Sequence, residues 1–498
     1  MPVASVQLVP FYIDGEWLRL TQLATSPVYN PSTGEVIAAA PMAGAGEVDA
    51  AVLAAHAAFP EWAGTPVIDR ARIMFRYRAL VEKNFDEIAR IISREHGKTY
   101  SESRGDLFRG LEVIEYSCGA PTLMMGDAAG NIARGVDCEA LRFPLGVCVG
   151  ITPFNFPAMI PLWMFPLALV TGNTFVLKPS ERVPLTAVRL AELLAEVGLP
   201  SGVFNLIHGG KPAVDALLTH PLVKAVSFVG STPIARYIHL TASSHGKRVQ
   251  ANGGAKNCVV VMPDSDVAKT VEGVMNAAFG CAGERCMAGS CVVTVGNRGR
   301  HLMHELAAAA RALKVGRTDT EAQPDMGALI TPAHRDRVLG LVESGLSLGA
   351  TLVVDGRGIK VPDAPGGFFL GATVVEDVQP EMALAREEVF GPVLNVMHTN
   401  DLDAAIAEAN RSSYGNGAAI FTSSGRAARE FKHRVNAGMI GVNIGVPASL
   451  AMFPFSGWND SFFGDLHIQG REAVSFYTQQ KVTTTRWIAE GVGDVWRK

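Results

Sequence analysis

Between Gly146 and Leu177 the chain carries no charged residue. A run this long has two homes, the hydrocarbon of a bilayer or the core of a folded protein. Pro157, Pro161, Pro166 and the triplet Thr171-Gly172-Asn173 punctuate it, and proline and glycine interrupt regular backbone. The pieces read as a buried strand over 146–151, a loop, an apolar helix, a turn and a second buried strand over 174–178. Core with ligand-facing loops is therefore expected, and no membrane partner.

The same alternation runs on. Pro184 opens a helix over 185–194 that Gly198 and Pro200 close, and 203–207 and 225–229 read as further strands. After Gly254 a second series begins with a strand over 258–262 and a helix from about Asp266; 352–354 and 418–421 are strands of the final third. Short apolar strands alternating with helices argue for an α/β fold with parallel sheets, whose ligand crevice lies beyond the strand C-termini. A chain of 498 residues outgrows a single hydrophobic core, so more than one domain is expected.

Charge and cysteine usage exclude other classes. Against 48 Asp and Glu stand 44 Lys and Arg, a formal net charge of -4, so no nucleic acid partner is expected. Seven cysteines scattered without paired spacing imply free thiols in a reducing compartment. Cys281, Cys286 and Cys291 lack a close histidine or CxxC partner, so no metal is expected. Met1-Pro2-Val3-Ala4-Ser5-Val6 shows no basic region before an apolar core. A cytoplasmic protein, in bacterial cytosol ahead of mitochondrial matrix, is the expectation.

Cys286 follows Gly283-Glu284-Arg285 and precedes Met287-Ala288, a setting in which small residues let backbone and ligand approach closely. It reads as a nucleophile whose thiolate Arg285 would favour, or as one more buried thiol. Asn155 lies in Thr152-Pro153-Phe154-Asn155-Phe156-Pro157, directly after a strand. Its amide can donate to a developing oxyanion alongside the nucleophile's own backbone N–H, or cap a turn between prolines. Lys178-Pro179-Ser180-Glu181 ends the next strand and sets a cation and a carboxylate at one rim, suited to sugar hydroxyls and phosphates. Phe228-Val229-Gly230-Ser231-Thr232 ends another and leads into a helix, suited to a pyrophosphate near helix N–H groups.

Together with Glu387-Glu388-Val389-Phe390-Gly391-Pro392, these five ordered motifs resemble the aldehyde dehydrogenase superfamily along nearly the whole chain. The resemblance implies an aldehyde dehydrogenase-like α/β fold of two parallel-sheet domains plus a small β oligomerisation arm. The NAD-binding domain would cover 1–124 and 144–254, the arm 125–143, the catalytic thiol domain 255–455, and a return segment with a C-terminal oligomerisation strand 456–498. It implies NAD held by Thr152, Phe154, Lys178, Glu181 and Ser231, with Glu388 on the nicotinamide ribose and Phe390 beside it. It implies Asn155 as oxyanion donor and Cys286 as nucleophile. Residues 127–143 would form a protruding β-arm, and 481–487 a strand pairing with it across subunits of a homo-oligomer, dimer or tetramer.

One departure narrows the chemistry. Hydrolytic members carry Glu-Leu-Gly-Gly-Lys, whose Glu activates water; here the matching place reads Ala251-Asn252-Gly253-Gly254-Ala255-Lys256-Asn257, with Ala251 set at the Glu position. This segment, Pro161-Leu162-Trp163-Met164-Phe165-Pro166-Leu167 and Phe453-Pro454-Phe455-Ser456-Gly457-Trp458 resemble the methylmalonate-semialdehyde dehydrogenase branch, which acylates coenzyme A. A thiol acceptor, with a pKa of about 8.5, needs far less help to become a nucleophile than water does. The resemblance implies a small semialdehyde substrate (methylmalonate or malonate semialdehyde), NAD, and coenzyme A as co-substrate. It also implies Arg109 and Arg285 as candidates for the substrate carboxylate, although Arg109 reads equally as a helix-surface ion pair. Glu284 is a candidate substitute base. A hydrolytic semialdehyde dehydrogenase and an NAD-independent cysteine acyltransferase are the alternative activities.

Overall fold

The computed structural model describes residues 6–296, 299–321 and 324–487. Positions 1–5, on which the leader expectation rests, and 488–498, which close the expected C-terminal segment, lie outside the described residues.

The uncharged run folds as its punctuation dictates. Strands Val147–Ile151 and Thr174–Lys178 pair in parallel, Ile151 opposite Lys178, with every residue buried. Between them Met159–Val170 is helical and buried throughout. Pro161 is tolerated because it falls in the first turn, where backbone N–H groups have no intrahelical partner. Among the described residues no helix is long and apolar enough to cross a membrane.

Five parallel strands form the centre of an eight-stranded sheet, in the spatial order Phe204–Leu206, Thr174–Lys178, Val147–Ile151, Val223–Val229, Arg248–Asn252. Antiparallel strands close its two edges, the hairpin Phe11–Ile13 and Glu16–Leu18 at one and Phe462–Gly464 at the other. The chain winds outward from Val147–Ile151 in one direction and then returns to its other side with Val223–Val229. That reversal opens a crevice at the C-terminal ends of these two strands. Thr152-Pro153-Phe154-Asn155 and Gly230-Ser231 follow them directly.

A seven-stranded sheet follows. Cys258–Val261 lies between Cys291–Val295 and Gly417–Phe421, with Val393–Thr399, Thr373–Glu376 and Thr351–Val354 beyond one side and Met439–Val442 beyond the other. Only Thr351–Val354 pairs antiparallel. Helix Val267–Phe279 starts at Asp266, whose carboxylate accepts the Lys269 N–H at 3.0 Å. Apolar side chains on the two faces of the first sheet form separate clusters, one around Met159–Val170 and one around Val48, Val226 and Ile238.

A third, three-stranded sheet stands largely exposed: Asp127–Ala133, Val136–Pro144 and Thr478–Arg486. The cross-subunit pairing expected for the last strand is corrected here. It pairs within its own chain, from Thr478 opposite Pro144 to Arg486 opposite Val136. Thr and Val enrichment identifies a strand, but nothing in a strand's composition says which copy supplies its partner edge.

Candidate active site

Cys286 sits in a turn between the short 3-10 segment Gly280–Gly283 and the strand Cys291–Val295. Its carbonyl accepts the Asn257 amide at 2.9 Å and the Asn416 amide at 3.0 Å. The approach is tightly drawn: Cys281 and Ala282 both have φ 51 and Gly283 has φ 74. A Cβ at Gly283 would stand 2.1 Å from the Gly391 carbonyl oxygen, so only glycine passes there. Cys286 lines two cavities, one of about 300 Å³ and one of about 450 Å³.

Burial pushes the Cys286 thiol up to about 12, and the Glu388 carboxylate adds to the shift; Arg285 pulls it down and is outweighed. Arg285 does favour the thiolate, as its position in the sequence suggests, but loss of hydration is the larger effect and the net shift is upward.

The smaller cavity gathers Phe154, Asn155, Ser231, Cys286, Glu388 and Phe390 from four separate segments, with His334 and Arg337 from a fifth. Ser231 precedes the first turn of helix Thr232–Ser244, and its hydroxyl makes no capping bond there. Glu388 Oε1 accepts the Ala255 N–H at 3.0 Å, and a Cβ on Gly254 would stand 2.6 Å from the other carboxylate oxygen. Burial pushes the Glu388 carboxyl up to about 7, against the Ala255 N–H and Lys256, which pull it down. Arg337 donates to the Val389 and Glu388 carbonyls at 2.9 and 3.0 Å, and His334 Nε2 donates to the Phe390 carbonyl at 2.7 Å. These bonds hold Phe390 at φ 58, a backbone state costly for a bulky residue. His334 and Arg337 carry no motif and escaped sequence reasoning.

Thr152, Lys178 and Glu181 adjoin this cavity without lining it. Thr152 N–H donates to the Lys178 carbonyl at 3.1 Å, while the Thr152 hydroxyl is buried without a partner. Lys178 Nζ donates to the Gly209 carbonyl at 2.8 Å and lies 3.6 Å from Glu181 Oε2.

Asn155 Nδ2 donates to the Glu284 carbonyl at 3.1 Å; a primary amide has a second N–H to offer. The Asn155 carbonyl accepts Lys98 Nζ at 2.6 Å, and Lys98 pairs with Asp106 at 3.1 Å. Asp106 Oδ1 accepts the Met159 N–H at 2.7 Å. One buried ion pair therefore ties both ends of the Asn155 loop.

Two expectations about a base are corrected. The Glu284 side chain lines neither cavity: Oε1 accepts the Ile330 N–H at 3.2 Å and lies 3.6 Å from His334 Nε2, and burial holds the carboxyl well above the usual carboxylate range. Ala251 packs into the core with Val226, Phe228 and Ile238, so it cannot face the thiol. Side chains alternate along a strand, and the opposite face belongs to Asn252, in register with Val229 of the cavity wall. Both polar atoms of the Asn252 amide are buried without partners.

The pattern of the aldehyde dehydrogenase family matches residues 17–483. The chain belongs to that family. A malonate-semialdehyde dehydrogenase of Geobacillus thermodenitrificans is 49% identical, over 97% of this chain and 99% of its own. One of Halalkalibacterium halodurans is 48% identical, again over 97% and 99%. Among solved structures, the methylmalonate-semialdehyde dehydrogenase of Oceanimonas doudoroffii has a TM-score of 0.96 at 48% identity, covering 98% of this chain and 100% of that one. A Sinorhizobium meliloti structure described as a methylmalonate-semialdehyde dehydrogenase complexed with NAD has a TM-score of 0.96 at 44% identity, covering 99% and 100%.

In this aldehyde dehydrogenase the larger cavity opens on the other side of Cys286, and Arg109 and Arg285 both line it. Arg109 also makes the ion pair foreseen as its other role, 2.9 Å from Glu112; Arg285 lies 3.7 Å from Glu102 and donates to Cys281 Sγ at 3.3 Å. Among the described residues no group of His, Cys, Asp and Glu could hold a metal.

Proposed function

We propose that this aldehyde dehydrogenase oxidises malonate semialdehyde or methylmalonate semialdehyde with NAD and passes the acyl group to coenzyme A. The observation that carries the reading is the thiol shared by two cavities, in a chain nearly half identical to malonate-semialdehyde dehydrogenases over its whole length. The smaller cavity suits the nicotinamide end of NAD. Ser231 leaves its hydroxyl and a helix N-terminus open, Thr152 keeps an orphan hydroxyl beside it, and Glu388 offers a carboxylate to ribose hydroxyls. Phe154 and Phe390 meet edge to face 5.8 Å apart and supply apolar wall, with Lys178 and Glu181 at the outer rim.

In the proposed reaction the Cys286 sulfur attacks the aldehyde carbon. The oxyanion takes the free N–H of Asn155 and the Cys286 backbone N–H. Bound NAD supplies the hydride acceptor that lets this adduct become a thioester on Cys286. Coenzyme A thiol then displaces Cys286, and a β-carboxyl acyl group leaves as acetyl-CoA or propanoyl-CoA after loss of carbon dioxide. Arg109 and Arg285 supply charge for the substrate carboxylate. The same reading assigns 1–124 and 144–254 to the NAD-binding domain, 125–143 to the arm, 255–455 to the catalytic domain and 456–498 to the return segment. It makes the arm the site of self-association, and the seven free cysteines suit a reducing cytoplasm.

One observation favours hydrolysis as a second reading: Glu388 shares the thiol's smaller cavity, and its carboxyl is poised at about 7, where a general base works well. Coenzyme A dependence separates the two. With malonate semialdehyde and NAD, purified enzyme should form NADH at a sustained rate only when coenzyme A is present, with acetyl-CoA as product. Equal steady turnover without it selects hydrolysis.

A further inference from the structure

Gln469 stands in a backbone state that only glycine occupies freely, φ 73 and ψ 173, at the start of helix Gly470–Phe476. Its neighbours impose that state. Phe455 N–H donates to the Ile468 carbonyl at 2.8 Å, Gly470 N–H to the Ala451 carbonyl at 3.1 Å, and the Gln469 carbonyl accepts the first helical N–H, of Ala473, at 3.1 Å. Strain kept at a residue that lines the thiol cavity calls for a role of that side chain.

The Gln469 side chain is 2% exposed and its amide oxygen has no partner. Two other orphans belong to the same cavity wall: the indole nitrogen of Trp163, 4% exposed and packed 4.9 Å from the Phe455 ring, and the hydroxyl of Ser449. An indole N–H can only donate, a serine hydroxyl can donate, and the two ends of a glutamine amide exchange by rotation. The group they suit is an acceptor with several lone pairs. Arg109 and Arg285 bring charge to this cavity, but each guanidinium already faces a carboxylate, Glu112 and Glu102.

We propose that Gln469, with Trp163 and Ser449, forms a neutral hydrogen-bonding subsite for the terminal carboxylate of the aldehyde substrate and thereby selects semialdehydes over uncharged aldehydes. This rests on the semialdehyde reading above. A substrate lacking the carboxylate leaves the three groups unpaired, and sites built to bond a polar group discriminate strongly against ligands without it.

The test compares kcat/KM for malonate semialdehyde and for propanal, both with NAD and coenzyme A, in the full-length enzyme. Gln469→Gly removes the amide and puts glycine where glycine is at ease. Its melting temperature should equal or exceed that of the unaltered enzyme, while the semialdehyde-to-propanal ratio falls by about tenfold or more. Trp163→Phe keeps the ring against Phe455, loses only the N–H donor, and should lower the ratio several-fold. A ratio within twofold of the unaltered enzyme in both variants overturns the proposal, and so does an equal fall for both aldehydes. An unaltered enzyme that does not prefer malonate semialdehyde overturns the functional reading and this inference with it; a preference that is present in the unaltered enzyme and undiminished in both variants overturns the inference alone.

Discussion

At the scale of single residues, the thiol and the carboxylate that share the smaller cavity control each other's charge. Burial keeps Cys286 protonated at neutral pH, and Glu388 reinforces this once it ionises above about 7. Only the thiolate is alkylated. The iodoacetamide rate at the Cys286 peptide, followed by mass spectrometry, should therefore climb by about tenfold per pH unit from 7 to 9 without levelling off. Glu388→Gln removes a like charge, so it should alkylate faster than the unaltered enzyme at pH 8. The two should converge below pH 6, where Glu388 is already neutral; a variant slower at pH 8 contradicts the coupling. Cys286 and Asn155 were legible in the sequence because each stands beside a recognisable strand end or glycine-rich turn. Ala251 misled because a strand side chain's direction reverses with a shift of one residue, and Glu284 because its side chain is turned by the irregular backbone after Gly280–Gly283 toward the Ile330 N–H, which no composition records.

At the scale of elements, strands and helices were legible wherever burial was complete, as in Val147–Ile151 and Thr174–Lys178. Contacts between elements were not. Helix Tyr100–Cys118 announces itself with a capping box, Thr99 accepting from the Glu102 N–H at 3.2 Å and Glu102 from the Thr99 N–H at 3.0 Å. Nothing in its sequence predicts that Asp106 reaches the Met159 N–H or that Lys98 bonds the Asn155 carbonyl. Lys98→Met would leave Asp106 as an unpaired buried acid, and removing one partner of such a pair costs about 3–5 kcal/mol. Urea unfolding should show a loss of that size, and Lys98→Arg should recover part of it. A loss below about 1 kcal/mol would mean that the pair contributes little beyond a surface ion pair.

At the scale of the molecule, the three-stranded sheet proposed as the arm leaves apolar side chains in the open. Ile132 is 63% exposed, Val482 64% and Trp487 65%, on a sheet with little core of its own. Exposed apolar side chains on one sheet make it a candidate association face. If copies of the chain meet there, Val482→Asp should sediment as a smaller species than the unaltered enzyme while its circular dichroism is retained; an unchanged sedimentation coefficient removes this face from the interface. The arm also sets a timetable. Cys138 Sγ lies 3.9 Å from Thr484 Oγ1, yet the two residues are 346 positions apart. Ribosomes add roughly 5–20 residues per second, so the first two strands of the arm wait roughly 20–70 s for the third. During that interval the edge of Val136–Pro144 is open to any passing strand, and a nascent chain in a polysome would be at greatest risk of mispairing with its neighbour.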